Sequence, residues 1–166
     1  MNTVAHTNPN GETVQVNVGE HATIGDNVTI GKNVTIGSYA NIGKNAIIRE
    51  HASIGKNAII REHANIGSYS TIGENVTIGK NVIIREHANI GRNVTIGKNA
   101  IIRENATIGE NSYIGRNSNI GYGSYIGRGS NIGYGSYIGK NAIIREHATI
   151  GENVTIGSYS IIGPDA

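Results

Sequence analysis

From Ile24 to Ile162 isoleucine stands at every sixth position without an omission, and Val18 extends the series one step toward the N-terminus. Two places before each member sits a small apolar residue or serine, as at Val28, Ala46, Ala88, Ser112 and Val154. An amphipathic helix needs apolar residues three and four apart. A spacing of two and then four instead puts two inward side chains on one short strand and leaves the rest of the unit for a turn. The unit is therefore a strand and a corner. Gly follows the inward Ile in most units, and the residue two further on is nearly always Asn, His, Tyr or Gly. Gly, Asn and His best tolerate a left-handed backbone, so this position is predicted to make the corner, with Tyr the least suited occupant. A strand this short cannot bury its own Ile and must stack on copies of itself, which is the logic of a solenoid. The same logic explains why GKNAIIREHA occurs at 43–52, 55–64 and 139–148.

Composition agrees with strands rather than with an ordinary globular core. Phe and Trp are absent and Gly reaches 24 of 166 residues, while Ile, Val and Ala supply the apolar content. That mixture, punctuated by Gly and Asn, favours β-structure. The formal net charge is +2 with charges spread evenly, so no basic arm or acidic tail points to nucleic acid or to a membrane surface. Cysteine is absent, which removes disulfide and thiolate chemistry. No apolar run approaches the roughly 20 residues of a membrane span, and MNTVAHTNPNGETVQ lacks the regions of a signal peptide. A soluble, cytoplasmic protein is the default expectation. One coil alone cannot offset the entropy of ordering itself, so stability is predicted to be highest in mid-stack and lowest at the ends.

The motif I-G-x-N-[V/A]-T, carried from Val16 to Pro164, resembles the hexapeptide repeat of left-handed parallel β-helix proteins. The resemblance implies an all-β triangular prism of about 8 coils with 18 residues each, on the order of 40 Å long at about 4.8 Å per coil. The left hand is implied by the family, since ordinary parallel crossovers are right-handed. Two segments are expected: residues 1–15, an N-terminal cap or irregular segment with the turn signal TNPNG, and residues 16–166, the repeat prism. Members of this family are commonly trimers. The outward Ile47, Ile83 and Ile101, aligned beside Arg49, Arg85 and Arg103, form the candidate lateral interface, although semi-exposed strand residues explain them equally well. The sequence stops at IIGPDA without a closing helix, so end-to-end association is a second candidate contact.

Registration modulo 18 tests whether Arg-Glu-His does chemistry. Arg49, Arg85 and Arg103 share one corner with Glu50, Glu86 and Glu104, while His51 and His87 lie two coils apart with Tyr69 between them. A separation of about 9.6 Å cannot be bridged by one zinc ion. His63 falls at another corner, and His21 and His147 at the third, so no His stacks on another. The resembling family contains acyltransferases that use CoA or carrier-protein thioesters, and metal-dependent carbonic anhydrases. Acetyltransferases of that fold carry an H-D-x-x-I-G type segment, whereas this chain reads H-A-[T/S/N]-I-G. The Ile48-Arg49-Glu50 stretch is similar to one in lipid A acyltransferases, but their catalytic His segment is absent, as are the long loops that build natural sites. No catalytic, cofactor-binding or metal residue is therefore assigned, and Arg-Glu-His is expected to be a solvated corner with local ion pairs of small individual worth.

Other patterns have plain structural readings. Tyr113, Tyr125 and Tyr137 fall on three different faces, making a girdle that a single sugar or nucleic acid could not touch together. Ser112, Ser118, Ser124, Ser130 and Ser136 take the small inward position with no His or Asp to activate them. Thr35, Ser53, Thr71, Asn89 and Thr107 make a hydroxyl-rich rank of the kind ice-binding solenoids use, but a second rank is missing. Asn27, Asn33, Asn75, Asn93, Asn105 and Asn153 read N-x-T, yet the corner role accounts for them. Near-identical modules in shuffled order, free of insertions, resemble an idealised vocabulary more than a natural prism that has drifted. The expected function is a non-catalytic structural β-solenoid, a designed or consensus scaffold capable of self-assembly, with no cofactor, nucleic acid, membrane or small-molecule substrate. The alternative is an acyltransferase-like hexapeptide enzyme with a site between the subunits of a trimer.

Overall fold

The computed structural model describes residues 1–166. The chain begins with β1 (Asn2–Thr7) and β2 (Thr13–Val18), and every later strand has two residues, an outward one followed by an Ile of the sixfold series. The strands assemble into three sheets that form the faces of a prism. The first face has 10 strands, running from β1 and β2 through Thr35–Ile36 to Ile161–Ile162. The second has 8, from Thr23–Ile24 to Thr149–Ile150, and the third has 8, from Thr29–Ile30 to Thr155–Ile156. Pairing between coils is parallel with a register of 18 residues, as where Thr71 lies opposite Asn89 and Ile72 opposite Ile90. That register stacks Ile on Ile in every face. From Ile30 to Ile144 each member of the series is at most 1% exposed, and 38 buried residues make one continuous core. No helix is long and apolar enough to cross a membrane.

The corners are made where the sequence places them. At the left-handed position the non-glycine residues have φ between 52° and 61°, among them Asn27, His51 and Asn117. Tyr39, Tyr69 and Tyr159 adopt it too, at φ of 60°, 58° and 61°. Stacking helps the first two: Tyr39 lies on His21 with ring centroids 5.0 Å apart, and Tyr69 lies between His51 and His87 at 4.7 and 5.2 Å. The corner amide is satisfied by the coil before it, as where His51 donates to the Lys32 carbonyl at 2.9 Å.

The residue after each inward Ile separates two kinds of hexad. Where it is Gly, its amide donates to the Ile carbonyl of the next coil at 2.7–2.8 Å; Gly67 and Gly97 are examples. Where it is Arg, the same bond measures 2.9 Å at Arg49 and Arg85, 3.0 Å at Arg61 and Arg103, and 3.1 Å at Arg145. The cause is steric. A Cβ built on Gly97 would lie 2.6 Å from the backbone nitrogen of Arg116 in the next coil. Gly97→Ala is accordingly expected to destabilise the protein by about 1–3 kcal/mol, toward the lower figure because the arginine hexads show that the stack can open slightly. Urea unfolding of the variant against the parent measures the effect, and an unchanged midpoint would refute the steric reading.

The inward serines do more than fill space. Ser70, Ser112, Ser118, Ser124, Ser130 and Ser136 each donate a hydroxyl to a corner carbonyl of the next coil, at 2.6–2.9 Å. No buried side-chain polar atom is left without a partner. A buried hydroxyl without an acceptor is costly, so these bonds are what permit serine in an otherwise aliphatic column.

Residues preceding the first full coil form a hairpin. β1 pairs antiparallel with β2, from Asn2 opposite Val18 to Thr7 opposite Thr13. Asn8, only 4% exposed, donates Nδ2 to the Ile30 carbonyl at 3.0 Å and accepts from the Ile30 amide at 2.8 Å. Its side chain thus substitutes for a neighbouring strand at the edge of the third face. His6 Nε2 lies 2.9 Å from the Val28 carbonyl, which makes that nitrogen the protonated one. At the opposite end Val154, Ile156 and Ile162 are only partly buried, and the Thr149 amide donates to the Ala166 carbonyl at 2.7 Å.

Candidate functional site

The corners carry almost every titratable side chain. His21, His51, His63, His87 and His147 all occupy the left-handed position and are exposed. The structure brings His51, Tyr69 and His87 into one flat stack, with interplanar angles of 6° and 8°. It leaves His63 on a separate corner and His21 and His147 on the third. No His is hydrogen-bonded to a carboxylate or hydroxyl; the contacts are His6 with the Val28 carbonyl and His51 with Asn33 Nδ2 at 3.5 Å. No group of three or more His, Asp or Glu residues is placed to share a metal ion.

The expectation of ion pairs within the Arg-Glu-His corner is corrected. Arg49, Arg85 and Arg103 are exposed and none lies within 4.0 Å of a carboxylate, because adjacent residues on a corner diverge. Arg103 instead donates Nε to Asn119 Oδ1 at 3.0 Å. The ion pairs lie along columns, one coil apart: Lys80 with Glu62 at 3.8 Å and Arg92 with Glu110 at 2.9 Å. On the corner after the first face the order is Lys56, Glu74, Arg92, Glu110, Arg128 and Glu146, alternating in sign. The hydrogen bond that Arg92 Nε donates to Glu110, and then the Glu110 charge, raise the Arg92 pKa above the ordinary guanidinium value.

Ile47, Ile83 and Ile101 align on the third face, interrupted by Asn65 opposite both Ile47 and Ile83, and all three are half-buried. Sequence reasoning passed over a more exposed column. Tyr125, Ile143 and Ile161 are consecutive on the first face at 41%, 39% and 60% exposure. The AII-Arg-Glu module recurs on different faces, so Ile59 and Ile143 are separated from Ile47 only by counting modulo 18; that count was the available signal. Tyr113, Tyr125 and Tyr137 occupy the second, first and third faces respectively. Thr35, Ser53, Thr71, Asn89 and Thr107 form one rank on the first face. A cleft of about 470 Å³ opens on the second face beside Asn41, Ile59, Arg61 and Glu62 and is lined by no histidine.

Comparison with known proteins places this geometry. The family model described as the GMPPB C-terminal domain matches residues 12–74 and 74–164. Among solved structures, the UDP-N-acetylglucosamine acyltransferase of Francisella novicida is similar with a TM-score of 0.75 and 29% identity, over 85% of this chain and 60% of that one. The enzyme of the same description from Campylobacter jejuni gives 0.62 and 26%, over 78% and 65%. The UDP-N-acetylglucosamine O-acyltransferase of Moraxella catarrhalis gives 0.65 and 22%, over 77% and 64%, a likeness of fold alone. The chain spans less than two thirds of each of these proteins. No curated protein matches in sequence. The fold is thus the left-handed parallel β-helix of hexapeptide-repeat proteins.

Proposed function

The chain belongs to the family of the GMPPB C-terminal domain, and on that premise we propose that it is a non-catalytic β-solenoid scaffold that associates side by side with copies of itself. The placement of the histidines carries this reading: all but His6 are held on exposed corners, three of them stacked on tyrosine rings, and none is hydrogen-bonded to a carboxylate or hydroxyl that would activate it. In this reading residues 1–15 cap the prism formed by 16–166. Ile47, Ile83 and Ile101, bordered by Arg49, Arg85 and Arg103, supply the lateral contact of a trimer. The regular modules suit an idealised, designed sequence.

A second reading is favoured by the comparisons. The similar solved structures at 26–29% identity are acyltransferases. An acyltransferase-like site would then lie between subunits, where a neighbouring copy could supply the partner that each corner histidine lacks. One experiment separates the two: light scattering for mass, together with an assay of acyl-CoA and acyl-carrier-protein thioesters against UDP-N-acetylglucosamine. The scaffold reading expects a trimeric mass and no thioester consumption above the uncatalysed rate. Turnover that disappears in His51→Ala, His63→Ala or His87→Ala would assign the function to the second reading.

A further inference from the structure

On the corner that follows the second face, the residue before the left-handed position reads, coil after coil, Lys44, Glu62, Lys80, Lys98, Arg116 and Tyr134. The first three alternate in sign, as the first-face corner does from Lys56 to Glu146. Then three cations follow in succession. Lys80 is paired with Glu62, but Lys98 and Arg116 have no carboxylate within 4.0 Å and are flanked by each other. Like charges in adjacent rungs repel, and Lys98 and Arg116, like Arg85 and Arg103 on the corner after the third face, stand one coil apart with no carboxylate to compensate them.

Neighbouring groups are donors as well. Asn81 donates to Asn99 at 3.2 Å and Asn99 to Asn117 at 3.0 Å, and there the ladder stops because the next rung is Gly135. Asn117 Nδ2 is left without a side-chain acceptor at the end of the ladder. The Arg116 guanidinium is seated 5.6 Å from the Tyr134 ring centroid. Lys98, Asn99, Arg116, Asn117 and Tyr134 together line a shallow cleft of about 190 Å³.

We infer that this cleft binds a phosphate-class dianion, which Lys98 and Arg116 neutralise while Asn117 Nδ2 donates to one of its oxygens. The Arg116 guanidinium lies over the Tyr134 ring, and its planar fork of donors suits a tetrahedral oxyanion. The anion can be inorganic or the phosphate end of a larger molecule, and in the second case Tyr134 offers a face for an aromatic group attached to it.

The test is a heteronuclear NMR titration of the full chain with sodium pyrophosphate and, separately, with adenosine monophosphate, at ionic strength held constant with sodium chloride. Saturable shifts are expected at the Asn117 side-chain amide and at the backbone amides of Lys98 and Arg116. Lys98→Glu, which restores alternation and so leaves the fold intact, should weaken binding about tenfold or more, as loss of a charge-assisted contact does. Lys56→Glu changes the net charge equally on another corner and should leave binding unaltered. Tighter pyrophosphate binding identifies a free oligophosphate. Tighter nucleotide binding that falls to the pyrophosphate level in Tyr134→Ala identifies a phosphate carried on an aromatic molecule. Shifts that fail to saturate, or equal weakening by Lys56→Glu and Lys98→Glu, would overturn the proposal.

Discussion

Removing one complete coil, residues 76–93, is expected to leave a folded protein, whereas removing the single residue Ile78 from the same coil is expected to unravel the stack on its C-terminal side. After the 18-residue deletion Asn75 is followed by Val94, Thr95 and Ile96, so the strand and corner positions continue in phase and every later side chain keeps its face. What is lost is one repeat's share of nearest-neighbour stacking, together with the Lys80–Glu62 and Arg92–Glu110 pairs, surface contacts of little individual worth. Loss of Ile78 alone shifts the following residues by one, and in a strand such a slip sends the inward set to solvent. Circular dichroism and urea denaturation distinguish the outcomes. The coil deletion should show one cooperative transition and a parental spectrum per residue, while the single deletion should lose cooperativity. Equal damage by the two deletions would contradict the repeat register.

Ile78→Ala is expected to cost about 2–5 kcal/mol, the range for truncating a large aliphatic side chain in a core that cannot collapse around the void. Ile78 is 0% exposed and lies in the middle of its face, with Ile60 and Ile96 on adjacent rungs. The backbone ladders above and below hold those rungs apart. Ile24, at the edge of the second face, is only partly buried, so Ile24→Ala should cost less than half as much. Equal losses at both sites, read as shifts in the urea midpoint, would mean that stability is not graded from mid-prism to end.

Much of the fold was legible because a single side chain sets it. Branched Ile at every sixth place fixes the inward column, and Asn or His two residues after Gly fixes the corner, with only local sterics involved. The hand was not legible in the same way, since a period of six fits either winding; it came from family resemblance. Side-chain pairing was legible only in part. Glu50 follows Arg49 in the chain but diverges from it on the corner, whereas Arg92 meets Glu110 across a coil, and only the column order shows that. The serine hydroxyls were read as filler because their acceptors, corner carbonyls 15 residues on, belong to the next coil and leave no local mark. The exposed Tyr125, Ile143 and Ile161 column escaped notice because identical modules look equivalent until their faces are counted.

Paired cysteines offer the most direct measurement, because the chain has none of its own and any bridge is unambiguous. Thr77 and Thr95 are register partners on the second face, so their Cα atoms should lie about 4.8 Å apart, within disulfide reach. Thr77 and Asn89 are nearer in sequence but lie on different faces. Mild oxidation of Thr77→Cys/Thr95→Cys should give an intramolecular disulfide in high yield, with Thr77→Cys/Asn89→Cys remaining reduced. Bridging of the second pair in preference to the first would contradict the 18-residue coil, and with it every column, corner and cleft described above.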